Sequence, residues 1–243
     1  MSFKVAVVTG GANGLGREIC LALANKGLQV FSIDIVDPTY CHLRIKHFPG
    51  DTRDFEHLQS IAQAIGKINV LVNNASVNRL NWIEKLPEDD WNLVMDTNLK
   101  GYFLTVKAFL PYLKKTKGTI ANVCSSAAFN PMTCSIAYNV SKAGQLMMTR
   151  QMARELTREY GITVFSITPN KLKGTEMTKY VDNIVPEIRG WSREEADTYQ
   201  QQALLAGNTD PKVVAENLAH LLAKKERHQY LTGCNLEFGQ EGK

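Results

Sequence analysis

The sequence predicts an α/β protein, doubly wound around a mostly parallel sheet. Three observations carry that expectation. Apolar runs of strand length alternate with segments of helical period along nearly the whole chain. The first run, "FKVAVVTG", passes directly into a glycine-rich turn, "TGGANGLG", before the first helical segment. No linker, internal repeat or low-complexity tract breaks the alternation, so one domain spanning 1–243 is expected.

Taken in order, Phe3 to Gly10 reads as a strand buried on both faces, as a central parallel strand must be. "GREICLALANKG" follows as a helix stopped by glycine. "LQVFSID" is a second strand and "RIKHFPGD" a third, with a helix from Asp54 to about Ile65. "INVLVNNAS" is a fourth strand that ends in small polar residues, and helical patterns cover Pro87 to Lys114. "GTIANVCSS" gives a fifth strand, Tyr138 to Tyr160 a long helix, and "GITVFSITP" a sixth strand. Asp210 to Lys225 is a helix with proline in its first turn, and "YLTGCNLEF" a seventh strand. The stretch from Lys171 to Ala206 is either a lid over a site at the carboxyl edge of the sheet or a packed pair of structural helices.

Composition narrows the function classes. The chain has 243 residues and a net charge of +4, with no dense basic block interleaved with aromatics, so nucleic acid is not implied. The short "LKKTKG" is a solvated helix end. Five widely spread cysteines without a CxxC fit reduced thiols. The histidines form no HxxxH or HExxH, so no metal is expected. The N-terminal apolar run is too short for a membrane span and no other segment approaches ~20 apolar residues, so a cytoplasmic, membrane-free protein is the expectation.

The glycine-rich turn carries chemistry. Glycines there permit a tight turn and bring backbone N–H groups against a phosphate at a helix N-terminus. Gly10, Gly14 and Gly16 depart from GxGxxG spacing, and a purely structural turn is the alternative. Arg17 follows Gly16, so the Lys-Ser/Thr of a nucleoside-triphosphate loop is absent. Asp34 ends the second strand, where a carboxylate can accept from both hydroxyls of an adenine ribose; it is otherwise a turn-forming residue before "VDP". Tyr138 and Lys142, four residues apart, would share a helix face, and an ammonium beside a phenol eases loss of the phenol's proton.

Five separated motifs in order resemble the short-chain dehydrogenase/reductase family, classical type: "TGGANGLG", "NNAS", "DTNLKG", "NVCSS" and "YNVSK". The likeness spans nearly the full chain and implies a Rossmann-type, seven-stranded sheet flanked by helices, binding NAD. It implies that Tyr138 exchanges a proton with a carbonyl or alcohol oxygen. Lys142 would favour the phenolate and bind the nicotinamide ribose. Ser125, thirteen residues before Tyr138, would orient the substrate oxygen, with Ser126 as the alternative. Asn98 would help hold a relay water beside the lysine. Gly10, Asn13, Gly14, Leu15 and Gly16 would hold the cofactor with Asp34, while Asp51 and Thr52 would meet adenine and Asn74 the adenosine side. Leu172 and Thr175 would meet the carboxamide. The pocket is expected to be lined by Lys171 to Trp191 with Phe129, Asn130 and Met132, and the family is commonly tetrameric, so a homotetramer or homodimer is implied.

Ser76 stands where the family has glycine, Asn170 replaces the glycine after proline, and "EFGQEG" lacks the usual Asp-Gly-Gly. None of these is a tetrad position. The implied activity is hydride transfer between NAD(H) and a secondary alcohol or ketone of a small metabolite, such as a sugar or hydroxyacyl compound. A silent NAD-binding regulator of the same fold is the alternative, and a sugar-nucleotide epimerase or dehydratase a third reading. The uncharged Asn13 and Ile35, at positions where NADP-dependent relatives carry cations, together with Asp34, favour NAD over NADP.

Overall fold

The computed structural model describes residues 4–205, 209–224 and 229–238. Phe3, Ala206, Lys225 and the residues after Phe238 in "EFGQEG" lie outside these, so the expectations placed on them stop there.

Seven parallel strands stand in the order β3-β2-β1-β4-β5-β6-β7. They are β1 (Val5–Thr9), β2 (Gln29–Asp34), β3 (Ile45–Pro49), β4 (Val70–Asn73), β5 (Thr119–Val123), β6 (Thr163–Pro169) and β7 (Asn235–Phe238). The helices are α1 (Gly14–Asn25), α2 (Phe55–Ile65), α3 (Glu88–Met95), α4 (Gly101–Thr116), α5 (Ile136–Met152), α6 (Arg158–Tyr160), α7 (Glu176–Arg189), α8 (Arg193–Leu205) and α9 (Pro211–Ala223). Each expected strand is present. The helix expected over Pro87 to Lys114 is α3 and α4 joined by a π turn, Asp96–Lys100. The helix expected from Tyr138 to Tyr160 begins at Ile136, and a second π turn, Ala153–Thr157, joins α5 to α6.

Alternation along each central strand builds two cores. Ala6 and Val8 of β1, Val70 and Val72 of β4, Ala121 and Val123 of β5, and Phe165 and Ile167 of β6 pack with α1 and α9. Val7, Leu71, Ile120 and Val164 project to the other face, against Leu58, Phe109 and Leu156. That is why the central strands read as unbroken apolar runs: helices cover both faces.

Pairing runs outward from β1 in both directions, so the chain order reverses between β1 and β4. A crevice at the carboxyl ends of the strands is expected there. The glycine-rich turn starts at that point. Gly10 is left-handed (φ 65°), and a Cβ on it would lie 2.7 Å from the Cα of Ala75. A Cβ on Gly16 would meet the Gly10 carbonyl oxygen at 1.9 Å, so the first turn of α1 can lie this close to β1 only with glycine there.

Gly16→Ala is therefore expected to lower Tm by roughly 5 °C or more, on a scale of ~2–4 °C per kcal/mol for a chain of this size. Scanning calorimetry of the purified variant checks this, and an unchanged Tm would refute the packing assigned to the turn.

Candidate functional site

A cavity of about 440 Å³ runs along the carboxyl edge of the sheet. Gly10, Asn13, Gly14, Leu15, Gly16, Asp34, Asp51, Thr52, Asn74, Ser125, Tyr138, Lys142, Leu172 and Thr175 all border it. Of the expected site residues only Asn98 lies behind its wall, fully buried.

At one end α1 presents its first turn. The Asn13 side chain caps none of the N–H groups there, and the turn holds no acidic residue. Uncapped donors and the positive end of the helix dipole suit a diphosphate. A Cβ on Gly14 would lie 3.7 Å from the Thr175 side chain, so the start of α7 stands over this turn. Asn74 braces the turn from β4: its Nδ2 donates to the carbonyls of Thr9 and Gly10 at 3.1 and 3.0 Å.

Asp34 sits at the end of β2, with Oδ2 accepting from the Ala12 N–H at 3.0 Å and Oδ1 from the Val36 N–H at 3.3 Å. The next residue, Ile35, is 70% exposed and uncharged. Arg17 and Arg44 do not border the cavity; the Arg17 guanidinium lies over the Tyr40 ring, 5.7 Å from its centre. Arg53, which sequence reasoning did not single out, does border it. Its guanidinium holds the Asp51 carboxylate through Nε at 2.9 and 3.0 Å and Nη2 at 2.6 Å. This pairing lowers the Asp51 pKa and occupies both oxygens that were expected to face adenine.

At the other end, Tyr138 and Lys142 project from one face of α5, as their spacing predicts. The Tyr138 ring packs with Val94, Ala127 and Ala137, and Met177 lies against that cluster. Burial pushes its phenol up to about 12, partly opposed by the hydroxyls of Ser125 and Ser76. Of the two adjacent serines, Ser125 is the one whose hydroxyl acts on the phenol. Ser76, the glycine departure, thus faces the tyrosine; its oxygen is buried with no hydrogen bond of ordinary geometry.

Lys142 is only 2% exposed. Its ammonium donates to the Val123 carbonyl and to Gln145 Oε1, both at 3.2 Å, and lies 5.4 Å from the centre of the Tyr138 ring. Burial lowers its pKa to about 8, with Cys124 acting in the opposite direction.

Asn98 projects from the π turn between α3 and α4, a distortion that breaks the regular helical bonding at this point. Its side chain accepts from the Val77 N–H at 2.8 Å, and its Nδ2 donates to the Val77 carbonyl at 2.9 Å and Ser141 Oγ at 3.1 Å. Its main-chain carbonyl accepts from Gln145 Nε2 at 2.5 Å. Gln145 was missed in the sequence. Its signal was a polar residue about one turn after Lys142, on the helix face that Tyr138 and Lys142 share.

The remaining wall comes from the 171–205 stretch, which forms a helix pair, α7 and α8, and also covers the cavity. Lys171, Met177, Val181 and Tyr199 reach into it. Trp82 Nε1 donates to the Ile188 carbonyl at 2.9 Å and Arg189 Nη2 to the Thr133 carbonyl at 3.1 Å, tying α7 to the loops after β4 and β5. Met132 borders the cavity as expected. Phe129 and Asn130 do not: the turn Ser126–Ala128 carries them outward, and Asn130 donates back to the Ser126 carbonyl.

The comparisons with known proteins agree with this architecture. The curated 3-oxoacyl-(acyl-carrier-protein) reductase FabG of Vibrio cholerae is 30% identical over 245 residues, covering 96% of this chain and 94% of the relative. Acetoacetyl-CoA reductase of Shinella zoogloeoides is 32% identical over 201 residues, covering 76% of this chain and 83% of the relative. The ligand-free aldohexose dehydrogenase of Thermoplasma acidophilum superposes with a TM-score of 0.84 at 25% identity, covering 98% of this chain and 93% of that one. A variant of actinorhodin polyketide ketoreductase solved with NADPH gives 0.85 at 26%, covering 98% and 96%. The family model described as short chain dehydrogenase matches residues 4–184. By fold, by the order of its motifs and by these matches, the chain belongs to the short chain dehydrogenase family of oxidoreductases, which work with a nicotinamide dinucleotide.

Proposed function

We propose that this chain transfers a hydride between NAD(H) and a secondary alcohol or ketone of a small metabolite. The observation that carries the reading is the convergence of Ser125, Tyr138 and Lys142 at one end of a cavity whose other end is bordered by Asp34. The named relatives act on 3-oxoacyl, acetoacetyl, aldohexose and polyketide compounds, so the shared element is a carbonyl/hydroxyl pair.

When bound, the nicotinamide supplies or accepts the hydride; the protein's part is orientation and proton movement. The uncapped N–H groups of α1 would hold the diphosphate, Asp34 the adenine ribose, and Leu172 and Thr175 the carboxamide. In reduction, Ser125 donates to the carbonyl oxygen and fixes its position. Tyr138 gives that oxygen its proton; a phenol held up at about 12 is fully protonated at neutral pH and ready to donate. The charge left on Tyr138 is offset by the Lys142 ammonium on the same helix face. In oxidation the same groups act in reverse.

The dinucleotide preference rests on this chain's own residues, since the polyketide ketoreductase was solved with NADPH. A 2′-phosphate beside Asp34 puts two negative charges together. At ~4 Å and an effective dielectric of about 20 that costs up to ~4 kcal/mol, less once screened. Ile35 offers no compensating charge, and the guanidinium of Arg53 is already held by Asp51.

Two experiments test this reading. Tyr138→Phe is expected to reduce kcat by at least ~10²-fold while the variant still binds NADH, as read by stopped-turnover assay and cofactor fluorescence; near-normal turnover would refute the acid/base assignment. For the cofactor, kcat/KM with NAD is expected to exceed that with NADP by more than ~10-fold. Asp34→Ala combined with Ile35→Arg should move the preference towards NADP, and equal use of both cofactors by the unmodified protein would sink the role given to Asp34.

A further inference from the structure

Lys142 meets a problem that its tyrosine partner does not solve. An ammonium removed from water needs acceptors, or it gives up its proton. The groups acting on it from neighbouring elements are Tyr138 on its own helix, Tyr102 from α4 and Cys124 after β5. Among the described residues no carboxylate acts on it. Two neutral oxygens hold it instead, the Val123 carbonyl and Gln145 Oε1.

We propose that Gln145 is a positioning residue for Lys142, holding the ammonium beside Tyr138 by bridging it to the main chain of Asn98. The amide's orientation is fixed by chemistry. Lys142 can only donate and the Asn98 carbonyl can only accept, so Oε1 must face the lysine and Nε2 the carbonyl. Gln145 is itself anchored from behind. Its main-chain carbonyl accepts from Thr149 Oγ1 at 2.8 Å, which accepts from Asn122 Nδ2 at 2.9 Å, and Asn122 Oδ1 in turn accepts from Asn73 Nδ2 at 2.9 Å. This buried chain ties α5 to the ends of β4 and β5 and fixes the backbone from which the Gln145 side chain projects, while the carboxamide itself is held at both ends by Lys142 and the Asn98 carbonyl. A fully buried glutamine serving only to fill space would be replaced at lower cost by an apolar residue.

The same geometry alters the part expected of Asn98. Asn98 is expected to help hold a relay water beside the lysine, but its main-chain carbonyl already accepts from Gln145. A carboxamide has no readily released proton near neutral pH, so Gln145 holds the lysine without passing its proton to Asn98. Asn98 therefore acts on Lys142 through Gln145, and through Ser141 and Val77 it fixes the walls around it.

The test is the titration of Lys142 itself, read in the ligand-free full-length protein by NMR of ¹³C-labelled lysine, with the signal assigned by Lys142→Arg. Gln145→Met keeps the volume and removes the acceptor, which disfavours the charged form; Lys142 should then titrate roughly one pH unit lower. Gln145→Glu places a negative charge there and should move the titration up by roughly as much. With NADH and a ketone substrate, the high-pH limb of kcat should follow in the same directions, because a neutral lysine no longer offsets the Tyr138 phenolate. A merely structural residue would reduce activity in both variants without moving either titration. Circular dichroism establishes that each variant is folded; should Gln145→Met fail to fold, the upward shift in Gln145→Glu decides alone. Unmoved titrations in folded variants would overturn the proposal. The inference rests on the proposed function only for its kinetic consequence. The NMR titration needs no substrate, so it stands or falls apart from that reading.

Discussion

A charged lysine kept out of water is the constraint around which this site is organised. Lys142 lies on the inner face of α5, so every part within reach must supply an acceptor or at least not repel it. The carbonyl of Val123, at the end of β5, is freed for this because the strand stops there and the chain turns into Ser126–Ala128. The same carbonyl accepts from the Tyr102 hydroxyl at 3.0 Å, which fixes α4 against the strand end. Gln145 supplies the second acceptor. Burial still wins in part, since the lysine's pKa falls to about 8 while the Tyr138 phenol rises to about 12. Both shifts have the same cause, loss of water around the charged form, and they oppose ionisation of either group. Charge developing on the tyrosine would change that balance, because phenolate and ammonium stabilise one another.

The wall behind this pair depends on a defect. A regular helix through Asp96–Lys100 would carry Asn98 at another angle; the π turn brings its amide to both backbone groups of Val77. Those groups belong to the loop after β4, which also carries Ser76 and Asn78 into the cavity. One helical irregularity therefore sets the shape of a loop whose own sequence gives it no regular structure. On the open side, α7 and α8 are held by side-chain to main-chain bonds from Trp82 and Arg189 and by the Lys171–Asp182 ion pair at 2.5 Å. Val185 is the one buried residue of α7, so that helix is weakly fixed by core packing.

The end of the cavity bordered by Asp34 is governed by electrostatics. Asp34 and Asp51 stand at the ends of β2 and β3, strands that pair directly. Asp51 is paired with Arg53, whereas Asp34, which also borders the cavity, accepts from the backbone N–H groups of Ala12 and Val36. Two carboxylates a short distance apart thus do different work because one has an arginine two residues on and the other does not.

The sequence by itself determined the succession of strands and helices along the chain, the position of the glycine-rich turn and the face shared by Tyr138 and Lys142. These are local matters: periodicity, backbone freedom at glycine and the pitch of a helix act over a few residues. The ordered motifs carry the family likeness without any geometry. Phe129 and Asn130 were misplaced because the short turn after Ser125 sets their direction, and nothing in that stretch records it. Whether Lys171 to Ala206 was lid or scaffold was likewise undecided, since a helix pair becomes a cover only by where it docks. Gln145 and Arg53 were legible only as a polar residue in a helix and a cation in a loop. Their meaning came from partners 47 and two residues away, brought within hydrogen-bond reach by folding. A residue's type fixes what it can donate or accept, but only tertiary structure decides which group stands opposite it.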